Sequence, residues 1–371
     1  MAYFDHAATT PLDPRVRDVM LEHAGEPLNP SSIHQPGQRA RRLLDQARGQ
    51  LAAAVGLGDA GQVCFTSGAT EAANLALRGL ATGNTGGPLH VVTSALEHSC
   101  VRETLEHLAE TGRVVLHLLP VGGDGRAVLD DDAIPMQAGL LCLMHANNET
   151  GVVQDVAAAR ALARRRGIPW LCDACQTLGK EPLVLDDLGA DLVILSAHKA
   201  YGPVGIGCLA GPGLGRLVPQ ITGGAQEEER RAGTPSVPLA RAFAAAAELA
   251  VAELGQRREH LAALEEEFLA CLARAGAPHR LNGTAPRLPG FLNLSFPGRD
   301  AVDMVIALDQ HGESASPGSA CSTGVVAASP VLAAMYPDDA ERAAGGVRFT
   351  FGRQTTRQEV ATLAETIVSI L

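Results

Sequence analysis

A chain of 371 residues, 46% hydrophobic and 19% charged, has the balance of an ordinary globular enzyme and room for two domains. Its formal net charge of -11 argues against a nucleic-acid surface, and the one basic run, Arg164-Arg165-Arg166, ends a predicted helix before Gly167, where the helix dipole favours cations. No apolar run reaches membrane-spanning length and Met1-Ala2-Tyr3-Phe4-Asp5 lacks a charged leader with an apolar core, which predicts a cytoplasmic protein with no membrane partner.

In chain order, an extended opening segment precedes Asp13-Pro14, a helix cap followed by a first-turn proline. From Gln38 to Val55, Ala40, Leu43, Leu44, Ala47, Leu51, Ala54 and Val55 recur at helical spacing, which predicts a packed surface helix. Gln62–Thr66 reads as a strand running into Ser67-Gly68-Ala69-Thr70, with a helix from Glu71. A small-residue turn opening a helix gathers free N–H groups and suits an anion such as a phosphate at Gly68 and Thr70, although such turns also serve simply to bend the chain. Leu89–Ser94 is the next predicted strand, with Glu97-His98 at its carboxyl end. Leu140–His145 is another, delivering Asn147 and Asn148. Trp170-Leu171-Cys172-Asp173 and Asp191–Leu195 are short apolar runs of the kind that make buried strands. Thr70, His98, Asn148, Asp173 and Lys199 would then share the carboxyl-end rim of an open α/β sheet, where ligands bind.

Lys199, in Ser196-Ala197-His198-Lys199, would sit at the end of a buried strand. Burial lowers a lysine's pKa and leaves a neutral amine able to condense with an aldehyde; the alternative is an amine that reaches out to solvent. Asp173 is the kind of carboxylate that keeps a pyridine nitrogen protonated. The eight cysteines are scattered, which excludes a disulfide framework, and no ligand-spaced second pair accompanies Cys172-x-x-Cys175, so accidental spacing is preferred there to a redox or metal site. Beyond Gly224, Pro238 to Arg274 is predicted helical with a kink at Gly255. Gly290–Phe296 and Val347–Phe351 are predicted strands, the latter with alternating faces, and Ala301–His311 is a predicted helix. Residues 312–324 are small and polar, the composition of a flexible loop.

Asp173-Ala174-Cys175-Gln176 with Ser196-Ala197-His198-Lys199 resembles the signature of fold-type I pyridoxal phosphate enzymes of the class V aminotransferase superfamily. Six further stretches resemble the cysteine desulfurases in order: Asp5-His6-Ala7-Ala8-Thr9-Thr10-Pro11, Asn29–His34, Thr66–Glu71, Asn147-Asn148-Glu149-Thr150-Gly151, Arg231-Ala232-Gly233-Thr234 and Gly318-Ser319-Ala320-Cys321. The resemblance implies an α/β fold with a large, mainly parallel seven-stranded sheet domain (13–255) and a smaller α+β domain (1–12 with 256–371). It implies pyridoxal 5'-phosphate held by Gly68, Ala69, Thr70, His98, Asn148, Asp173, Gln176, Ser196, His198 and Lys199, with Thr234 reaching the site of a second copy in a homodimer.

By the same resemblance, His98 lies over the cofactor ring, and Asn148 and Arg348 bind the carboxylate of L-cysteine. Lys199, Cys321 and His98 carry the chemistry: sulfur passes to Cys321 as a persulfide and on to a sulfur-acceptor protein, in iron–sulfur cluster assembly, tRNA thiolation or a related pathway. No metal is implied. Selenocysteine lyase, aminotransfer and a slow sulfur-carrier scaffold are the alternatives. His6, Pro317 and Pro235-Ser236 depart from the usual family pattern, and Pro317 fixes a φ angle close to Cys321.

Overall fold

The computed structural model describes residues 2–318 and 329–371. Strand β1 (Ala2–Tyr3) is followed by helices α1 (Pro14–Leu21) and α2 (Gln35–Ala54). Strands and helices then alternate: β2 (Val63–Thr66), α3 (Ala69–Gly83), β3 (Leu89–Ser94), α4 (Ser99–Glu110), β4 (Val114–Leu119), β5 (Leu140–Cys142), α5 (Val156–Arg166), β6 (Trp170–Asp173), α6 (Leu185–Leu188), β7 (Leu192–Ser196) and β8 (Gly207–Ala210). Helices α7 (Val237–Ala252) and α8 (Leu254–Arg274) lead to β9 (Arg280–Leu281), β10 (Phe291–Ser295), α9 (Ala301–Gln310) and β11 (Glu313–Ser314). The chain closes with α10 (Pro330–Met335), α11 (Ala340–Ala344), β12 (Gly346–Thr350) and α12 (Arg357–Ile370).

Seven strands form one sheet in the order β2-β8-β7-β6-β5-β3-β4, parallel except at β8, which runs against both of its neighbours. Both faces are covered, so β6 and β7 are buried at every residue, as their unbroken apolar sequence requires. Val193 and Leu195 point into a core shared with Leu44 and Leu51 of α2 and Phe243 of α7. Leu192 and Ile194, on the other face, pack with Leu77 of α3 and Leu105 of α4. A second, antiparallel sheet, β12-β10-β9, has its own core of Phe268, Leu272, Phe349, Phe351, Leu363 and Ile367, joined by Phe4 from the amino terminus.

Local chemistry explains several boundaries. Asp13 accepts the N–H of Arg15 at 2.8 Å and Pro14 occupies the first turn of α1. Helix α2 begins before the predicted Gln38, because His34 caps it by accepting the N–H of Gly37 at 3.2 Å and Pro36 fits the first turn. The predicted kink at Gly255 is in fact a break at Glu253, whose carboxylate is drawn aside by Arg15 at 2.6 Å and Arg257 at 2.8 Å. Strand β12 does not alternate between buried and exposed: all five residues are buried, Val347 and Phe349 in the second core and Arg348 and Thr350 against the amino-terminal segment. Residues 312–316 are not a free loop either. Glu313 and Ser314 pair with β1, and Ser316 exchanges backbone hydrogen bonds with Arg348 at 2.7 and 3.2 Å.

Gly151 is fixed by geometry. It has φ +73°, and a side chain there would strike Cβ of Phe291. Gly151→Ala should therefore lower stability by about 2–4 kcal/mol, combining positive-φ strain with overpacking. A chemical-denaturation midpoint equal to that of the unmodified protein would show that the turn relaxes freely.

Candidate active site

Adjacent parallel strands set the two central groups side by side. Asp173 ends β6 and is in register with Ile194 of β7, while Lys199 lies in the tight turn Ala197–Lys199 that follows β7. Both line one cavity of about 380 Å³, within the range of roughly 300–1,000 Å³ usual for small-molecule sites. Gly68, Ala69, Thr70, His98, Asn148, Gln176, Ser196 and His198 line it too. The cavity brings together ten of the residues expected from the sequence.

The amino-terminal segment straps the lysine turn into place. Thr10 donates its N–H and its hydroxyl to the carbonyl of His198 at 2.9 and 2.8 Å, and the N–H of Tyr201 returns to the Thr10 hydroxyl at 2.7 Å. Lys199 Nζ donates to the carbonyls of Ala7 and Ala8, the latter at 2.7 Å. Gln176 donates through Nε2 to Ala7 at 2.9 Å. These backbone contacts have no residue-type signature, and sequence reasoning did not place them.

Asp173 is buried and accepts the N–H of Cys175 at 2.9 Å. His98 caps α4: its Nδ1 accepts the N–H of Cys100 at 3.2 Å, which leaves Nε2 to carry the ring proton. Glu97 beside it turns inward and accepts the N–H of Met144 at 2.7 Å, and burial pushes its carboxyl up to about 8, so that it is a neutral acid near pH 7. Asn147 organises the turn bearing Asn148: its Oδ1 accepts the N–H groups of Glu149 and Thr150, each at 2.9 Å.

Helix α3 opens on Gly68 with no side-chain cap, so its first N–H groups are available to an anion. Glu71 in its first turn accepts the N–H of Ser67 at 2.9 Å and is ion-paired with Arg231 at 2.7 Å. Burial raises the carboxyl's pKa, but the bonds from Arg231 and Ser67 outweigh it and hold Glu71 below its usual range. The arginine offsets a negative charge that would otherwise oppose a phosphate.

Arg348 and Thr234 lie outside this lining. Arg348 is buried and directs its guanidinium to the carbonyl of Asn148 at 2.7 Å and the carboxylate of Asp5 at 2.6 Å. Thr234 is exposed. Cys321 lies outside the described residues. Cys172 and Cys175 are buried free thiols, and among the described residues no group of three or more His, Cys, Asp and Glu is arranged to hold a metal.

The cavity suits pyridoxal phosphate. It offers an anion cradle, a carboxylate and an amine, and the buried Ser196 Oγ and Gln176 Oε1 have no partner among the described residues. Residues 2–363 match the family Aminotransferase class-V. The chain belongs to that family. Like other class-V aminotransferases it uses pyridoxal phosphate. It is similar to "Cysteine desulfurase IscS" of Pseudomonas aeruginosa, at 37% identity over 99% of this chain and 91% of the relative. Among solved structures it is similar to a "NifS-like protein", with TM-score 0.91 and 30% identity over 100% of this chain and 98% of that one. It is also similar to "SspA in complex with cysteine", with TM-score 0.82 and 30% identity over 95% and 99%. No helix among the described residues of this class-V aminotransferase is long and apolar enough to cross a membrane.

Proposed function

We propose that the protein is a pyridoxal-phosphate-dependent cysteine desulfurase that converts L-cysteine to L-alanine and passes the sulfur, through Cys321, to an acceptor protein. One observation carries this reading: Asp173 and Lys199, at the ends of neighbouring strands, line the same cavity as an uncapped helix N-terminus. The full-length likeness to cysteine desulfurases, and a neighbour solved with cysteine, support the substrate.

The cofactor, when bound, supplies an aldehyde and an electron-withdrawing ring. Gly68, Ala69 and Thr70 would hold its phosphate, Asp173 its ring nitrogen, and Ser196, Gln176 and His198 its remaining polar edge, while His98 would cover the ring. Thr234 would contribute to the phosphate site of a second copy in a homodimer. The Lys199 amine would hold the cofactor's aldehyde carbon and would move the Cα proton of bound substrate. Asn148 and Arg348 orient the substrate carboxylate, and the planar Arg348 fork would exchange its contact with Asp5 for one with substrate. The Cys321 thiolate attacks the substrate sulfur. A sulfur–sulfur bond forms, the carbon–sulfur bond breaks with its electron pair kept on Cβ, Cβ takes a proton, and return of the Cα proton from Lys199 releases alanine. His98, whose Nδ1 accepts the N–H of Cys100, would deliver the Cβ proton from Nε2.

Cys321→Ser should abolish sulfide release in the presence of a thiol reductant yet leave the visible absorbance of the bound cofactor intact. Undiminished sulfide and alanine formation by the variant would remove Cys321 from the mechanism. Pyruvate in place of alanine from the unmodified protein would instead indicate aminotransfer.

A further inference from the structure

Lys199 ends the tight turn Ala197–Lys199, and the way that turn closes departs from the common pattern. Helical turns often finish on a left-handed residue, usually glycine, whose own N–H and that of the next residue reach back to two carbonyls of the turn. Tyr201 occupies that place with φ +65°, rare for a bulky side chain. The outer bond is present: the N–H of Gly202 reaches the carbonyl of Ala197 at 2.9 Å. The inner bond, from the N–H of Tyr201 to the carbonyl of His198, is replaced by a relay. The hydroxyl of Thr10 stands between the two groups, accepting the N–H of Tyr201 at 2.7 Å and donating to the carbonyl of His198 at 2.8 Å.

The relay closes a ring around Lys199, with His198 on one side of it and Tyr201 on the other. The carbonyl of Lys199 itself is held from outside by the amine of the buried Lys180 at 3.0 Å. Thr10 and Tyr201 are both buried, so a partner lost from the relay is not replaced by bulk water. Tyr201 is kept at its unusual φ from several sides. Its carbonyl accepts the N–H of Asp13 at 3.0 Å and its hydroxyl accepts the N–H of Arg353 at 2.8 Å. Its ring faces the guanidinium groups of Arg257 and Arg353, 5.1 and 4.6 Å from the ring centre. An unfavourable backbone conformation that its surroundings over-determine, two positions from a reactive side chain, is what a geometry held for chemistry looks like.

We propose that Thr10 is a positioning residue for the reactive amine: its hydroxyl, wedged into the end of the lysine turn, fixes the backbone of residues 198–201 and with it the direction in which the Lys199 stem enters the cavity. With only the direct bond available, the N–H of Tyr201 and the carbonyl of His198 would close on each other across the space the hydroxyl now fills, and Lys199 would move with them. A reacting group displaced from its working geometry loses rate steeply. The inference rests on the reading of Lys199 as the cofactor-holding residue.

The test adds pyridoxal 5'-phosphate to the cofactor-stripped full chain and follows the growth of visible absorbance, at one pH and well below the thermal midpoint of every variant. Thr10→Ser keeps the hydroxyl, Thr10→Val keeps the shape without it, and Thr10→Ala loses both. Thr10→Ser should react within about twofold of the unmodified protein, whereas Thr10→Val and Thr10→Ala should react about five- to tenfold more slowly, the worth of one hydrogen bond. In the loaded enzyme, kcat for alanine formation should fall by a like factor in those two variants with KM for L-cysteine unchanged, because the displaced group acts on substrate already bound. Rates of absorbance growth in Thr10→Val and Thr10→Ala equal to that of Thr10→Ser, with or without a drop in thermal midpoint, overturn the proposal and leave Thr10 a structural residue of the strap. Should Thr10→Val fail to fold, the comparison of Thr10→Ala with Thr10→Ser decides in the same way. Absence of a visible band in the unmodified protein would instead overturn the assignment of Lys199 itself.

Discussion

Lys199→Ala should leave a folded protein that gives no cofactor absorbance in the visible region and makes alanine more slowly by about 10²–10⁴-fold, the range expected when a positioned proton carrier is lost. The loss should be large because two roles fall on one amine, holding the aldehyde and moving the Cα proton, and no neighbour among the described residues is placed to replace both. Lys180 is the obvious substitute, but its amine is directed to the carbonyl of Lys199 and its side chain is not part of the cavity wall. Folding should survive. The bonds lost to Ala7 and Ala8 amount to about 1 kcal/mol each, and the Thr10 bonds to His198 still hold the strap. Circular dichroism and the visible spectrum together check this; a variant that keeps both its band and its turnover sinks the assignment of Lys199.

Asp173→Asn is the second large effect. A carboxylate beside a cationic nitrogen raises that nitrogen's pKa by about 1–3 units, so its loss should cut the protonated fraction, and with it the rate, by roughly 10- to 1,000-fold. The amide keeps the shape and can still accept the N–H of Cys175 through its oxygen, so the turn after β6 should hold. The cofactor should still bind, since the phosphate cradle proposed at α3 lies on a different element. A variant with full turnover would show that the ring nitrogen is protonated by some other means; one that fails to bind cofactor at all would show Asp173 to be chiefly a packing residue.

The central pair was legible because buried parallel strands are written as unbroken apolar runs, and the residue that ends such a run falls on the ligand-binding edge. Asp173 and Lys199 end two of these runs. Gly68–Thr70 was legible as a turn opening a helix, but the role of Arg231 was not, since nothing in sequence pairs it with Glu71 across 160 positions. Arg348 was expected to bind a substrate carboxylate, whereas its contact with Asp5 was hidden for the same reason. Alternation was expected of β12 because a polar residue between apolar ones suggests a solvent face; here that face is closed by the chain's own beginning, which supplies Asp5 and the backbone of Phe4. The helix break was sought at the glycine, but the charges gathered around Glu253 decided it.

The strap that holds Lys199 has a consequence for how the molecule comes into being. Ala2 bonds to Gly312, Phe4 to Ser314 and Thr350, and Ala7 to Thr350, so residues 2–7 find these partners only when residues 312–350 have been made. Until then the segment has nothing to dock against, and the seven-stranded sheet can assemble with its lysine turn unfastened. Competence to hold the cofactor should therefore wait until β12 is threaded beside residues 4–7, and nascent chains halted before residue 346 should be compact yet colourless.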